Sequence, residues 1–429
     1  MPVQTVLRAG MVAVLLAVAG SAGAQTTEAV PGASVEGLLQ LARQRNPELA
    51  AMRHEASAAT ERVLPAGALM DPKLKVELQD LTKAGEQGIT LLPSNVGGTV
   101  YTLTQELPWA GKRELRRDIA SLDAEAAQGR ERQTWAELAA RVKALFVQRY
   151  LVQASQRLAS ENLDLMLQLE QVMQVRYAGG LAAQQDITRI HVEHTGMRAE
   201  LVALSAEWRQ TQARLNLLLG RPADAALAAP MALRSLPDPS QLDFAALSER
   251  LRQGNPQLLV EGSRAKSAEK ARDLSYRGRY PDFTVGINAT QRQSTVKEWG
   301  VMVELNLPIR DGVLKSQERE SEAMLAAARS RQEAATNQAK ADLLDNLLAL
   351  ESARQTEHLM RFSLMPQADL TWRAALAVYE NGKADFATLL DAMRQVRQAR
   401  QSQLRAQIEA QLRLAEIERL IGEDVGAAP

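Results

Sequence analysis

Asp186 and Asp391 are the residues best suited to a chemical role, because each follows a short turn between helices. Each turn contains a tyrosine and a glycine three residues apart: Tyr177 and Gly180 in the first, Tyr379 and Gly382 in the second. A glycine is expected there because a tight turn needs a residue that tolerates a positive φ. If several copies of the chain assemble around an axis, each aspartate would form a ring of carboxylates, which favours cations and can gate by charge repulsion. The alternative is a carboxylate that stabilises a helix N-terminus.

Other candidate side chains are open to less specific interpretations. Tyr177 and Tyr379 could hydrogen-bond across the turn and hold it shut, or they could simply pack there. His191 and His194 have a spacing that a metal could use, but His194 falls in an apolar seam and no cysteine or acidic cluster completes a site. An interface histidine is therefore favoured. No nucleophile–base set, Walker loop or dinucleotide-binding glycine pattern occurs, which predicts a protein that is not an enzyme and needs no cofactor.

The composition restricts the class of protein and its compartment. The 429 residues include 51 basic and 51 acidic side chains, and this balance argues against a nucleic-acid partner. The absence of cysteine excludes disulfides and thiolate zinc sites. Arg8, the apolar run 9–20 and Ala22-Gly23-Ala24 predict a signal peptide over residues 1–24, with Gln25 as the mature N-terminus. The alternative for this segment is a buried N-terminal helix.

Several sequence features recur with a period of about 200 residues. Asn46-Pro47 recurs 209 residues later as Asn255-Pro256, and Leu219-Gly220 recurs 202 residues later as Ile421-Gly422. Solenoid repeats are only about 20–50 residues long, so this period indicates two domain-sized units. We predict a first repeat over residues 25–220, a linker over 221–241 and a second repeat over 242–429.

Each repeat contains two segments in which apolar and polar residues alternate, as in a strand with one apolar face. They lie at about 72–81 and 99–107, and at about 282–291 and 299–307. In a soluble sandwich the apolar face would meet another sheet, whereas in an outer-membrane barrel it would meet lipid. The signal peptide and the surrounding helices favour the barrel. Because the smallest such barrels have about eight strands, four strands require oligomerisation.

Long helices make up most of the remaining sequence. We predict them at about 113–176 and 183–219 in the first repeat, and at about 314–380 and 385–421 in the second. From Ile187 onward, apolar residues recur with alternating spacings of three and four, which is typical of left-handed coiled coils. Pro366 is expected to kink or break the first helix of the second repeat.

This doubled order of two strands and two long helices resembles the TolC family of outer-membrane efflux proteins. The segments around Tyr177–Asp186 and Tyr379–Ala392 are similar to the helix-turn tips of that family. Trp109-Ala110-Gly111-Lys112-Arg113, after a strand that ends in Leu107-Pro108, resembles the strand-to-helix junction of its CusC/CzcC-like heavy-metal branch. The resemblance covers essentially all of the mature chain.

The resemblance implies a mainly α fold with a small β part, assembled as a homotrimer in outer-membrane lipid. Three chains would form a 12-stranded β-barrel that continues as a periplasmic α-helical barrel. A periplasmic adaptor protein and an inner-membrane pump of the RND type would dock below, with Leu181 and Lys383 as exposed adaptor contacts. Two departures stand out. Gln25 replaces the acylated cysteine of some members, and Ala384 and Thr388 replace the arginine and aspartate that some members carry at the second tip.

We therefore expect an outer-membrane channel subunit of a tripartite efflux system. It would be a passive exit duct, with metal cations as the favoured cargo on the junction resemblance alone. One alternative is a TolC-like duct for drugs or secreted molecules. A second is a periplasmic adaptor, which would have one helical hairpin and a lipoyl-like domain, and a third is a soluble periplasmic enzyme on a helical scaffold.

Overall fold

A computed structural model describes residues 30–86, 88–180, 182–292, 295–381 and 383–425. The signal peptide expected over residues 1–24 lies outside the described residues, as do Leu181 and Gly382. Within the described ranges no helix combines the length and the apolar character that crossing a membrane would require.

The first half of the chain contains five helices and two strands. They are α1 (Val35–Arg45), α2 (Pro47–Glu61), α3 (Val63–Gly67), β1 (Lys73–Gln79), β2 (Gly98–Leu107), α4 (Lys112–Ala178) and α5 (Gln184–Leu218). After a 3-10 turn, the second half contains α6 (Phe244–Gly254), α7 (Pro256–Arg277), β3 (Asp282–Arg292), β4 (Thr295–Asn306), α8 (Asp311–Leu359), a π-helical turn (Met360–Leu364), α9 (Met365–Glu380) and α10 (Phe386–Ile421). The fold is mainly α with one small sheet, as expected.

Two Asn-Pro pairs divide the helical stretches that precede the strands, and each pair starts a new helix, α2 or α7. Asn46 and Asn255 are N-caps. The side-chain oxygen of each accepts a hydrogen bond at 2.9 Å from the backbone N–H three residues later, that of Leu49 or Leu258. The proline that follows each asparagine occupies the first helical position, where no N–H is needed.

The same two asparagines join the start and the end of their own repeats in equivalent ways. The side-chain amide of Asn46 donates to the Leu218 carbonyl at 2.9 Å, and that of Asn255 donates to the Leu420 carbonyl at 2.8 Å. Both asparagines are buried, so each clamps the start of one helix to the end of another without exposure to water.

The four strands form one antiparallel sheet in the order β1-β2-β3-β4, which joins the two halves of the chain. The alternation places apolar residues on one face in continuous rows. In one row Leu74 faces Leu103, Leu103 faces Ile287, and Ile287 faces Val301. Strand β4 begins at Thr295, earlier than the predicted start at about 299, because Thr295 and Val296 pair with Arg292 and Gln291 of β3.

The helices pack along one another with two long elements at the centre. Helix α4 runs uninterrupted for 67 residues and contacts α2, α5, α7 and α10. Its counterpart is divided into α8 and α9 by the π-helical turn that directly precedes Pro366. Proline cannot donate a helical hydrogen bond, so the predicted interruption takes the form of a widened turn.

Helices α4 and α7 approach each other closely at Gly129, the one glycine within α4. A β-carbon at Gly129 would stand 2.6 Å from Val260 Cγ2 of α7, so this position requires glycine for steric reasons. Gly196 of α5 is also helical, but a β-carbon there would have no neighbour within 4 Å. The two glycines therefore form a natural matched pair.

We predict that Gly129→Ala lowers the free energy of unfolding by about 1–3 kcal/mol, because the added methyl group overpacks the α4–α7 contact. The control Gly196→Ala is expected to raise it by up to about 1 kcal/mol through helix propensity. Thermal unfolding of the purified protein, followed by helical circular dichroism, measures both. Shifts in the same direction for the two variants would contradict the close crossing.

Candidate channel entrance and membrane-facing sheet

The end of the helical region farthest from the sheet, here called the tip, comprises the α4–α5 and α9–α10 turns. Gly180 has a φ of +71°, in the left-handed region that favours glycine. Lys383 is exposed, and its backbone N–H donates to the Val378 carbonyl at 3.0 Å, which closes the second turn. The tip thus consists of two compact turns that the long helices carry away from the sheet.

The two tip tyrosines occupy different environments. Tyr379 is only 7% exposed, and its hydroxyl donates to the Met173 sulfur. Its ring lies edge-on to Phe386, with ring centroids 6.1 Å apart, inside an apolar cluster shared by α4, α5, α9 and α10. Tyr177, by contrast, is 46% exposed. Tyr379 is therefore a packed aromatic residue, whereas Tyr177 remains available at the surface.

Arg176 fastens the two turns to each other, a role that the sequence did not suggest. Its guanidinium lies 4.7 Å from the centre of the Tyr379 ring. It also donates to the carbonyls of Tyr379 and Glu380, at 3.2 and 3.3 Å. A cation at these carbonyls offsets the negative end of the α9 dipole. The only sequence signal was the adjacency of Arg176 to Tyr177, since the partners are more than 200 residues away.

The candidate entrance aspartates lie near the starts of two helices, Asp186 on the first turn of α5 and Asp391 on the second turn of α10. Asp391 is exposed and pairs with Arg394 at 3.3 Å, and Arg394 also pairs with Glu193 of α5. The Glu193 hydrogen bond, opposed in part by desolvation, raises the pKa of Arg394 above its ordinary value. Asp186 is half-buried in the first turn of α5. Of the two candidate aspartates, Asp391 is thus the exposed one, and a neighbouring cation partly neutralises it.

Asp385 stabilises a helix N-terminus, which is the role considered as the alternative for Asp186 and Asp391. It is the N-cap of α10, and its carboxylate accepts from the Thr388 hydroxyl at 2.6 Å and from the Thr388 N–H at 3.0 Å. These hydrogen bonds hold the pKa of Asp385 below its usual value. Asp385 therefore stays ionised as a helix cap.

The two histidines lie beside Glu170 of α4. His191 Nδ1 is 3.6 Å and His194 Nδ1 is 3.8 Å from that carboxylate. In the part of the chain that the structure describes, no group of three or more histidine, aspartate or glutamate side chains could hold a metal ion. The histidines therefore remain residues of the α4–α5 contact.

The apolar face of the sheet is exposed across all four strands. Val301 is 81% and Trp299 is 75% exposed, although both belong to rows that are apolar from edge to edge. Aromatic residues border this face at both ends. Tyr101 and Trp299 lie in one row at the loop end, whereas Phe283 and Trp109 stack at the helix end. An apolar band between aromatic rows is the pattern of a strand surface in a bilayer.

The opposite face of the sheet is polar. It carries Lys73, Lys75, Glu77, Thr102, Thr104, Glu106, Thr284, Asn288, Glu298 and Glu304. The sheet therefore separates an apolar environment from an aqueous one, and it continues directly into the long helices.

A buried ion cluster, which sequence reasoning missed, lies midway along the helices. The Glu418 carboxylate of α10 pairs with Lys143 of α4 at 2.7 Å and with Arg234 of the inter-repeat linker at 2.8 Å. Lys143 also pairs with Asp424 at 2.5 Å, near the C-terminus. Isolated charges at these spacings carry no periodic signal, so only the folded structure brings them together.

Long paired helices, an exposed apolar sheet face and a tip of narrow turns define a membrane-channel class of protein. The family model described as outer membrane efflux protein matches residues 38–221 and 247–423. The chain belongs to this family.

One curated relative is the cobalt-zinc-cadmium resistance protein CzcC of Cupriavidus metallidurans. It is 25% identical over 382 residues, which cover 87% of this chain and 86% of the relative. Two outer-membrane proteins of known structure share the fold. VceC of Vibrio cholerae has a TM-score of 0.78 at 16% identity and covers 91% of this chain and 96% of its own. MtrE of Neisseria gonorrhoeae has a TM-score of 0.74 at 16% identity, with 92% and 90% covered.

These findings confirm the predicted family, fold class and location. The protein is an outer-membrane efflux channel protein whose long helices form a large periplasmic part. The family is one of transport channels and not of enzymes. The adaptor alternative is not supported, because the matched family and the two helical hairpins are those of a channel.

Proposed function

We propose that three copies of this chain form one continuous channel, with a 12-stranded barrel above a helical tunnel. The observation that supports this assembly is the four-stranded sheet, which has exposed apolar residues on every strand and, in the part of the chain that the structure describes, two unpaired edges, β1 and β4. Exposed edges and apolar faces are unfavourable in water, and closure of the barrel by neighbouring copies in lipid removes both. In this proposal the chain contributes two repeats, over residues 25–220 and 242–429.

The proposed cargo is divalent metal cations, delivered by an RND-type inner-membrane pump through a periplasmic adaptor. The support is the likeness to CzcC, whose name describes resistance to cobalt, zinc and cadmium. In the trimer, Asp391 and Asp186 would form carboxylate rings at the entrance, which favour cations. Tyr177 would line that entrance beside the packed Tyr379. Lys383 and the turn residues Gly180, Leu181 and Gly382 would contact the adaptor.

A deletion strain complemented with this chain tests the cargo. We expect the deletion to increase sensitivity to cobalt, zinc and cadmium salts, and the wild-type chain to restore resistance. Asp391→Asn should restore resistance only partly, because the entrance ring loses its charge. Asp164→Asn, at an exposed position of α4, is the matched control and should complement fully.

The outcomes test the proposed cargo and the proposed role of Asp391 separately. Unchanged metal sensitivity together with increased sensitivity to hydrophobic drugs would overturn the metal cargo and favour the drug duct. Full complementation by Asp391→Asn would remove the entrance role from Asp391 while leaving the cargo intact.

A further inference from the structure

Positive charge is concentrated where the sheet meets the helices. Three segments that are distant in sequence converge there, namely 108–117, 274–281 and 307–316. Together they carry eight basic and two acidic residues, whereas the whole chain has no net charge. The convergence follows from the topology, since each segment adjoins the helix end of β2, β3 or β4.

Aromatic rings extend the apolar face of the sheet into this region. Phe283 belongs to the apolar face, and the Trp109 ring stacks on it with centroids 5.6 Å apart. Tyr280 also stacks on Trp109, with ring centroids 5.1 Å apart. Trp and Tyr favour the boundary between hydrocarbon and headgroups, so the stack marks the depth at which the bilayer ends.

Three exposed arginines, Arg113, Arg277 and Arg310, surround this boundary, and we call them the arginine collar. Arg277 donates to the Ala110 carbonyl at 3.4 Å, next to Trp109. Arg113 donates to the Gly67 carbonyl at 3.0 Å. Arg310 directly follows Ile309, which is 85% exposed. Among the described residues no carboxylate forms a salt bridge with any of the three, so their charges are not neutralised within the chain.

One acidic side chain at the boundary, that of Asp282, already has partners within the chain. Asp282 accepts from Lys112 Nζ at 2.9 Å and from the Trp109 N–H at 2.8 Å. Lys112 is buried and also donates to the Tyr280 carbonyl at 2.8 Å. This internal pair fixes the junction without the collar arginines, whose partners in the described residues are neutral carbonyls and not carboxylates.

We propose that the arginine collar binds the headgroups of anionic phospholipids at the periplasmic boundary of the membrane. The planar guanidinium group matches phosphate in bidentate geometry, and cations near a membrane surface are attracted to anionic lipid. The inference rests on the proposed placement of the sheet in the bilayer. It adds a lipid preference that an apolar face alone would not create.

The test measures which lipids stay with the full-length protein. The protein is reconstituted into vesicles of phosphatidylethanolamine and phosphatidylglycerol at three to one, re-extracted in mild detergent, and its retained lipids are counted by mass spectrometry. We expect phosphatidylglycerol to be enriched about fivefold over the bulk ratio, since each boundary cation contributes about 1 kcal/mol. The triple variant Arg113→Gln/Arg277→Gln/Arg310→Gln should return to the bulk ratio.

Two control variants separate charge from folding and from net charge. Arg113→Lys/Arg277→Lys/Arg310→Lys keeps the charges and should retain most of the enrichment. Arg189→Gln/Arg209→Gln/Arg373→Gln removes three exposed arginines on helices far from the sheet and should retain all of it. Bulk lipid composition around the wild type, or equal enrichment for the wild type and the collar glutamine variant, would overturn the collar. Failure of the wild type to enter the vesicles would instead overturn the membrane placement.

Discussion

Replacing Glu418 with glutamine is expected to lower the free energy of unfolding by about 3–5 kcal/mol. The Glu418 side chain is 5% exposed and serves two cations, Lys143 and Arg234. Glutamine keeps the size of the side chain but removes the charge, so Arg234 loses its carboxylate partner. A buried charge without a partner costs far more than an exposed one, because water cannot replace the lost interaction.

Thermal unfolding of the purified protein in detergent measures this change. The matched control is Glu249→Gln, the same substitution at an exposed carboxylate that pairs with Arg252 of its own helix. Exposed pairs of this kind contribute little, so the control should unfold at the wild-type temperature. Equal midpoints for the two variants would show that the Glu418 cluster does not hold the linker to the helices.

The second large effect is expected on the apolar face of the sheet. Val301→Lys places a charge at the middle of β4 on the exposed apolar face, and the cost in a bilayer is about 2–4 kcal/mol for each copy. Three copies in the proposed trimer would multiply that cost. We therefore expect a large loss of heat-resistant oligomer from the detergent-extracted outer membrane, detected by gel mobility without boiling.

The neighbouring residue provides the control. Met302 lies on the polar face, because successive side chains of a strand point to opposite sides. Met302→Lys should therefore assemble almost as well as the wild type. If both lysine variants assemble equally, the apolar face does not contact lipid, and the proposed barrel is wrong regardless of cargo.

The period-two alternation of the strand segments was sufficient to predict both faces of the sheet. The prediction succeeds because one face of the sheet requires apolar side chains over its whole length. The start of β4 was missed because Thr295, Lys297 and Glu298 are polar, and polar residues there resemble a turn. The Asn-Pro junctions were visible as a repeat, but their role as helix starts became clear only from the caps at Asn46 and Asn255.

The sequence predicted where the candidate entrance lies, but not the environments of its side chains. The turn residues Tyr177 and Tyr379 look equivalent in sequence, yet one is exposed and the other is packed on Met173. Arg176 contacts Tyr379 and Glu380, which are more than 200 residues away, and local patterns contain no information about such contacts. The rings proposed for Asp186 and Asp391 depend on neighbouring copies, so neither a single sequence nor a single chain displays them.

The π-helical turn at Met360–Leu364 has a consequence for how the two halves of the chain diverged. From Asp311 to Glu380 the second long helix has more residues than the 67 of α4, although both connect the sheet to the tip. Each residue added to an α-helix turns everything beyond it by about 100°, which would rotate Tyr379 out of its cluster. A π turn absorbs such an insertion locally and leaves the rest of the helix in phase. The turn therefore marks the position at which residues were inserted. Length variation among relatives should concentrate there and should not occur within α4.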